Sequence, residues 1–154
     1  ILDNKNNNLI SLLNLDTSKL YIDLKKKILF IEILNSNYSK KDFITLIEYF
    51  RNFWYLAKEQ NVKYYLLIKI TTLPIFPLTF FTHLNNILLS LHDIFEKCMY
   101  CCSFVIDSSN SKQFNTINMI LNPFLNMYKF VRPFKITHSN EEAFMFFNSI
   151  TEIK

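Results

Sequence analysis

No glycine occurs anywhere in the 154 residues, where a soluble chain of this length ordinarily carries about ten. Phosphate loops, dinucleotide fingerprints and the nucleophile elbow all need backbone at positive φ or backbone pressed against a ligand. Glycine supplies both, so these three chemistries are excluded. Arginine (two, against 15 lysines) and alanine (Ala57 and Ala143) are also scarce, while Asn, Ile, Phe and Tyr abound. These are residues of A/T-rich codons, and the missing glycine reads as compositional drift of the genome. Turns must then be built from Asn, Asp, Ser and Lys, of which Asn and Asp tolerate the left-handed region best.

Other absences narrow the class further. No run approaches 18 apolar residues, and the first 15 residues are Asn-rich without a charged segment leading into an apolar core. Neither a transmembrane segment nor a signal peptide is expected. The 17 basic and 13 acidic side chains give +4, with the surplus before residue 78 (11 against 7). That is too thin for nucleic acid, and Lys25-Lys26-Lys27 reads as a turn. The three cysteines, Cys98, Cys101 and Cys102, are bunched in one segment, which suits a reducing, cytoplasmic compartment better than a disulfide framework.

What is present is a rhythm. Residues 1–18 read as an Asn-rich extension, partly disordered or forming a short helix or edge strand. From 19 to 154 the chain reads as a single domain. Leu20, Ile22 and Leu24 alternate with polar residues, and after Lys25-Lys26 comes Ile28 to Leu34, which together read as a hairpin. Ser39 and Asp42 resemble a capping box ahead of Phe43, Leu46, Ile47, Phe50, Phe53, Trp54 and Ala57 at helical spacing. Val62 to Ile70 is an apolar run of strand length, the kind buried on both faces of a parallel sheet. Helices at about 78–97, 111–127 and 140–150 then alternate with strands at 99–106 and 131–137, and Ser139 with Glu142 forms a second capping box. Strands alternating with helices require crossovers. The fold expected is α/β, ββαβαβαβα, with a mixed, mostly parallel sheet covered by helices.

A leading hairpin followed by βα units resembles the STAS domain, the family of anti-sigma-factor antagonists. Leu66 to Leu84 (Leu-Leu-Ile-Lys-Ile-Thr-Thr-Leu-Pro-Ile-Phe-Pro-Leu-Thr-Phe-Phe-Thr-His-Leu) lies without gaps on that family's strand, loop and helix start. Arg132-Pro133-Phe134-Lys135-Ile136 with Ser139-Asn140-Glu141-Glu142-Ala143 looks like the final strand and helix of its sporulation subgroup. The resemblance implies a regulatory, non-enzymatic module that binds a protein partner or itself. It places the family's Asp-Ser-Ser-Gly segment on Pro77, Leu78, Thr79 and Phe80, and the phosphoacceptor on Thr79. Three of those four positions depart from the pattern, and Thr79 alone keeps a hydroxyl.

The segment around residues 73–81 is unusually apolar for a connection. Its residues Ile75, Phe76, Leu78, Phe80 and Phe81 either pack inward or form a partner-binding lip at the carboxyl ends of the strands, where ligands gather in doubly wound sheets. Met145 and Phe146 widen the apolar arc of the last helix, which could join that interface. Cys101 and Cys102 should point to opposite faces of their strand, so no metal site is expected. His83 and His92, nine residues apart, share no ligand face. Asp107-Ser108-Ser109 caps the next helix or contacts a ligand, and Lys69 either snorkels outward or pairs with Glu32. Catalytic residues and cofactors are expected to be absent. The alternative is a CRAL-TRIO-like α/β domain enclosing an apolar, lipid-like ligand, which would need a cavity of at least a few hundred Å³.

Overall fold

A computed structural model describes residues 9–34, 39–71, 78–106, 111–128 and 131–152. Three antiparallel neighbours come first: β1 (Leu9–Asn14), β2 (Ser18–Asp23) and β3 (Ile28–Ile33). The β2–β3 turn shows what a glycine-free chain does instead. The Asp23 carboxylate accepts the backbone N–H groups of Lys25 (3.0 Å) and Lys26 (2.9 Å), and Lys27 takes φ 58°. A lysine so placed costs about 1–2 kcal/mol against the right-handed region.

Helix α1 (Lys40–Gln60) buries the stripe read from the sequence, from Phe43 through Ala57. Ser39 Oγ accepts from the Asp42 N–H at 3.1 Å, while the Asp42 carboxylate turns aside to accept the Thr17 hydroxyl at 2.7 Å, tying the helix start to the β1–β2 turn. Asn61, at φ 55°, ends the helix with its N–H on the carbonyls of Ala57 and Lys58, the αL cap that glycine usually provides.

The chain continues through β4 (Tyr64–Ile70), α2 (Leu78–Ser90), α3 (His92–Cys98), β5 (Met99–Ile106), α4 (Ser111–Tyr128), β6 (Phe134–Thr137) and α5 (Asn140–Glu152). All six strands form one sheet in sequential order, antiparallel from β1 to β3 and parallel from β3 to β6. The α/β class with a mixed sheet is therefore established, with three corrections to the element order. The extension contributes an edge strand, so three strands and not two precede α1. The helix expected over 78–97 breaks at Leu91, whose φ −95°, ψ 0° backbone lets Leu91, Ile94 and Phe95 all turn into the core. The last strand starts at Phe134 and not Val131. Pro133 lacks an N–H for the ladder and offers only its carbonyl, which accepts from the Cys102 N–H at 3.0 Å.

Strand order also decides the layers. Right-handed crossovers between consecutive neighbours put every connecting helix on the same side. Accordingly α1, α2, α3 and α4 share one core with Leu20, Leu29, Ile31, Leu66, Cys102 and Phe104, centred on the fully buried Trp54, Phe95 and Leu91. Among the described residues, the other face carries one helix, α5, whose Ala143 and Phe147 pack on Ile28, Phe30, Leu67, Cys101 and Val105. The sheet is singly wound and contains no point where strand order reverses, so the switch-point crevice of a doubly wound sheet does not arise here.

Candidate functional site at the carboxyl ends of the strands

The connection from Ile70 to Leu78 leaves the carboxyl end of β4. Ile75, Phe76 and Pro77 lie outside the described residues, and Leu78 and Phe81 are placed by backbone only, as the first and fourth residues of α2. The first turn of α2 divides sharply: Thr79 is exposed and Phe80 is buried. Phe80 stacks on Phe43 of α1 with ring centroids 4.6 Å apart and planes within 12°, and His83 meets the same Phe43 edge-on at 6.1 Å. Phe80 is thus a core residue that pins α2 to α1, and its ring is spent within the fold. Thr79, beside it, is an exposed residue at a helix start, where N–H groups and dipole favour an added negative charge.

Across the sheet, α5 begins over the ends of β4 and β5. Ser139 Oγ accepts from the Glu142 N–H at 3.2 Å, and the Glu142 carboxylate reaches back to the His138 N–H at 3.0 Å, closing the second capping box one residue early. An open cleft of about 200 Å³ lies beside this cap, lined by Lys69, Val105, Ser139, Asn140 and Glu141. Lys69 stands directly opposite Glu32 in the β3–β4 register. Glu32 in turn accepts the Tyr21 hydroxyl at 2.7 Å. Burial first, then that hydrogen bond and the Glu32 charge, holds the Tyr21 phenol protonated far above its usual range. Deeper in, Ser103 and Thr137 are both fully buried and lie 3.1 Å apart. With the Thr137 proton directed at the Ser139 carbonyl (3.4 Å), Ser103 donates to Thr137. This chain of hydroxyls ties β5 and β6 to the start of α5.

The remaining candidates fall in different places. Cys101 and Cys102 are buried on opposite faces, as strand alternation requires. Burial pushes the Cys101 thiol up to about 12 despite Arg132, and raises Cys102 as well; neither forms thiolate near neutral pH. Among the described residues, no group of three or more His, Cys, Asp or Glu side chains converges as a metal site would. His83 and His92 sit on different helices, and His138 stacks on Phe114 at 4.0 Å. Asp107, Ser108 and Ser109 lie outside the described residues. On α5, Met145 is 71% exposed, while Phe146 is half-buried against Phe147 with centroids 6.2 Å apart. No described helix is long and apolar enough to cross a membrane.

No family model, no curated protein and no solved structure matches this chain.

Sequence reading did not foresee the seam of rings on the α5 face. Tyr65 stacks on both Tyr100 and Phe147 with centroids 4.7 Å apart in each case. An extra residue in β5 makes the seam possible. Tyr64 pairs with Met99 but Leu66 with Cys102, a bulge that sends Tyr100 and Cys101 to the same side. The only sequence signal was an aromatic at each of two strand starts, Tyr65 and Tyr100.

Proposed function

We propose that the chain is a non-enzymatic, STAS-like regulatory module of the cytoplasm that binds a partner protein, or a second copy of itself, through the connection at residues 73–81. The observation that carries this reading is the join between topology and the first turn of α2. An antiparallel strand pair, β2–β3, leads into sequential right-handed βα units, and Phe80 anchors α2 on Phe43 while Thr79 faces outward. The apolar sequence of the connection, joined to β4 on one side and to the Phe80-anchored α2 on the other, supports a contact surface for a partner. Thr79 is the phosphoacceptor equivalent in this reading. The apolar-ligand alternative has no particular observation in its favour, since Trp54, Leu91, Phe95 and Met99 fill the larger core with their own side chains.

The test is a chain carrying both Ile75→Ser and Phe76→Ser, followed by light scattering for self-association and native mass spectrometry for a co-purified protein. With the fold retained by circular dichroism, association should weaken by about thirtyfold or more, the 2 kcal/mol of an interface hot spot. Unchanged association sinks the lip. Thr79→Asp should shift the same equilibrium, and no shift removes the switch.

A further inference from the structure

Each parallel strand starts beside a cation. The exposed turn Leu24–Lys27 precedes β3 and carries Lys25, Lys26 and Lys27; Lys63 stands just before β4, Lys97 just before β5 and Arg132 just before β6. The parallel register brings all four starts to one end of the sheet, across three strand spacings or about 14 Å. The end of α1 adds Lys58, which together with Lys63 and Lys97 acts on the Cys98 thiol against the upward push of burial.

The carboxylates at this end do not balance that charge. Asp23 is 5% exposed and spends Oδ1 on the N–H groups of Lys25 and Lys26. Glu59 at the end of α1, Glu96 in α3 and Glu152 at the end of α5 are further acids here among the described residues, so that with Asp23 four acids stand against Lys25, Lys26, Lys27, Lys58, Lys63, Lys97 and Arg132. Helix dipoles account for Lys58 and Lys97, which sit in the last turns of α1 and α3. They do not account for the lysine turn, which belongs to no helix.

Apolar side chains stand exposed beside the cations. Leu24, at the head of the lysine turn, is 37% exposed, and Tyr55 and Leu56 near the end of α1 are 44% and 50% exposed. The rings behind them are occupied: Tyr65 is stacked between Tyr100 and Phe147, Lys63 Nζ sits 5.7 Å over Tyr100 and Lys26 Nζ 4.7 Å over Phe144. Arg132 directs Nε and Nη2 to the Tyr100 carbonyl at 3.4 and 3.3 Å. A single-stranded nucleic acid would need a row of open ring faces for successive bases, where Tyr55 is the one exposed ring among the described residues named here, and a phosphate-reading site would use a guanidinium fork. What is offered is a set of lysine point charges with leucine beside them. Diffuse anionic charge over an apolar layer is its complement.

The geometry points to an anionic lipid surface as the occupant of this end of the molecule: Lys25, Lys26, Lys63 and Lys97 lie on the headgroups, and Leu24 reaches toward the acyl boundary. Binding is reversible, because a polybasic patch with one or two small apolar insertions falls short of a stable anchor. The surface lies at the opposite end of the strands from residues 73–81 and does not rest on the function proposed there.

The experiment is vesicle flotation of the full chain with phosphatidylcholine alone and with phosphatidylserine added. Binding should require phosphatidylserine. It should fall as salt rises from about 0.01 M to about 1 M, which shortens the screening length from about 30 Å to about 3 Å. Each of Lys25→Gln, Lys26→Gln, Lys63→Gln and Lys97→Gln should weaken it by about fivefold, whereas Lys40→Gln with Lys41→Gln, at the start of α1, should change it less than twofold. Circular dichroism checks that every variant is folded, and the Ile75→Ser/Phe76→Ser chain should bind vesicles as the parent does. No preference for phosphatidylserine, or binding by the four lysine variants as tight as the parent's, overturns the proposal. So does tighter, equally lysine-dependent binding to an oligonucleotide, which would assign the surface to nucleic acid.

Discussion

The two faces of the sheet are covered in different ways. On one, four helices lie side by side and enclose Trp54 within Phe50, Phe53 and Phe95, at centroid distances of 6.1, 5.2 and 5.3 Å. On the other, a single helix lies over strands whose remaining area is closed by Tyr21 on Phe30 (4.8 Å), Tyr65 on Tyr100 and lysines over rings. The inequality follows from winding direction, since each crossover to the next strand must pass on the same side. Where helices run out, large rings with a polar edge do their work, because Tyr can bury its body and leave its hydroxyl on water or on a carboxylate. Glu32 with Tyr21 is one such case.

The largest effect separating the faces should come from truncating a ring on each. Phe95→Ala empties a fully enclosed site and should cost near the upper end of about 3–5 kcal/mol, while Phe147→Ala, on the single-helix side, should cost near the lower end because the neighbouring rings can settle into the gap. Urea unfolding of both variants decides the matter, and equal losses would mean that one helix seals its face as well as four do.

Alkaline titration should show the next effect. Cys101 on the α5 face is raised from 9.0 to about 12 by burial, and Cys102 on the other face is raised too. The folded state holds both as neutral thiols, so their contribution is fully present below pH 9, where the unfolded chain also keeps them protonated. For Cys101 it is lost as pH climbs toward 12, and for Cys102 it is lost as pH rises through its own raised value. Stability should therefore fall over that window, and Cys101→Ala and Cys102→Ala should each flatten the fall, measured as the urea midpoint against pH. A steeper response to Cys102→Ala would confirm the four-helix face as the drier one.

The smallest effect belongs to the two left-handed residues that stand where glycine usually does, Lys27 in the β2–β3 turn and Asn61 at the end of α1. Lys27→Gly relieves a left-handed lysine and should raise stability by about 1 kcal/mol, whereas Asn61→Gly, replacing a residue already tolerant of that region, should gain only a few tenths. Equal gains at the two positions would show that Lys27 is not strained.

Much of this was legible because it is periodic or local. The stripe from Phe43 to Ala57 required only a spacing of three and four, and Ser39 and Ser139 announced their helices through hydroxyls that reach their own N–H groups. Cys101 and Cys102 parted because neighbouring strand residues must. The break at Leu91 escaped notice because the apolar spacing runs on through it, and only the pull of Ile94 and Phe95 into the core bends the chain there. Phe80 belonged to a segment that read equally as lip or as packing. Its stack on Phe43 joins residues 37 apart in sequence, whose distance no local pattern reports. The strand in residues 9–14 was one of several options, and pairing with β2 selected it.

From its own residues the chain determined its alternation of strands and helices, the hydrophobic stripe on α1, its helix starts, and a backbone that must turn without glycine, since all of these depend on near neighbours and on side-chain volume. The packed structure decided that four helices share one face, that an extra residue in β5 brings Tyr100 beside Tyr65, and that cations one βα unit apart line up at a single end. Those depend on strand order and handedness, which place residues some thirty-five positions apart side by side, and that proximity exists only once the sheet has closed.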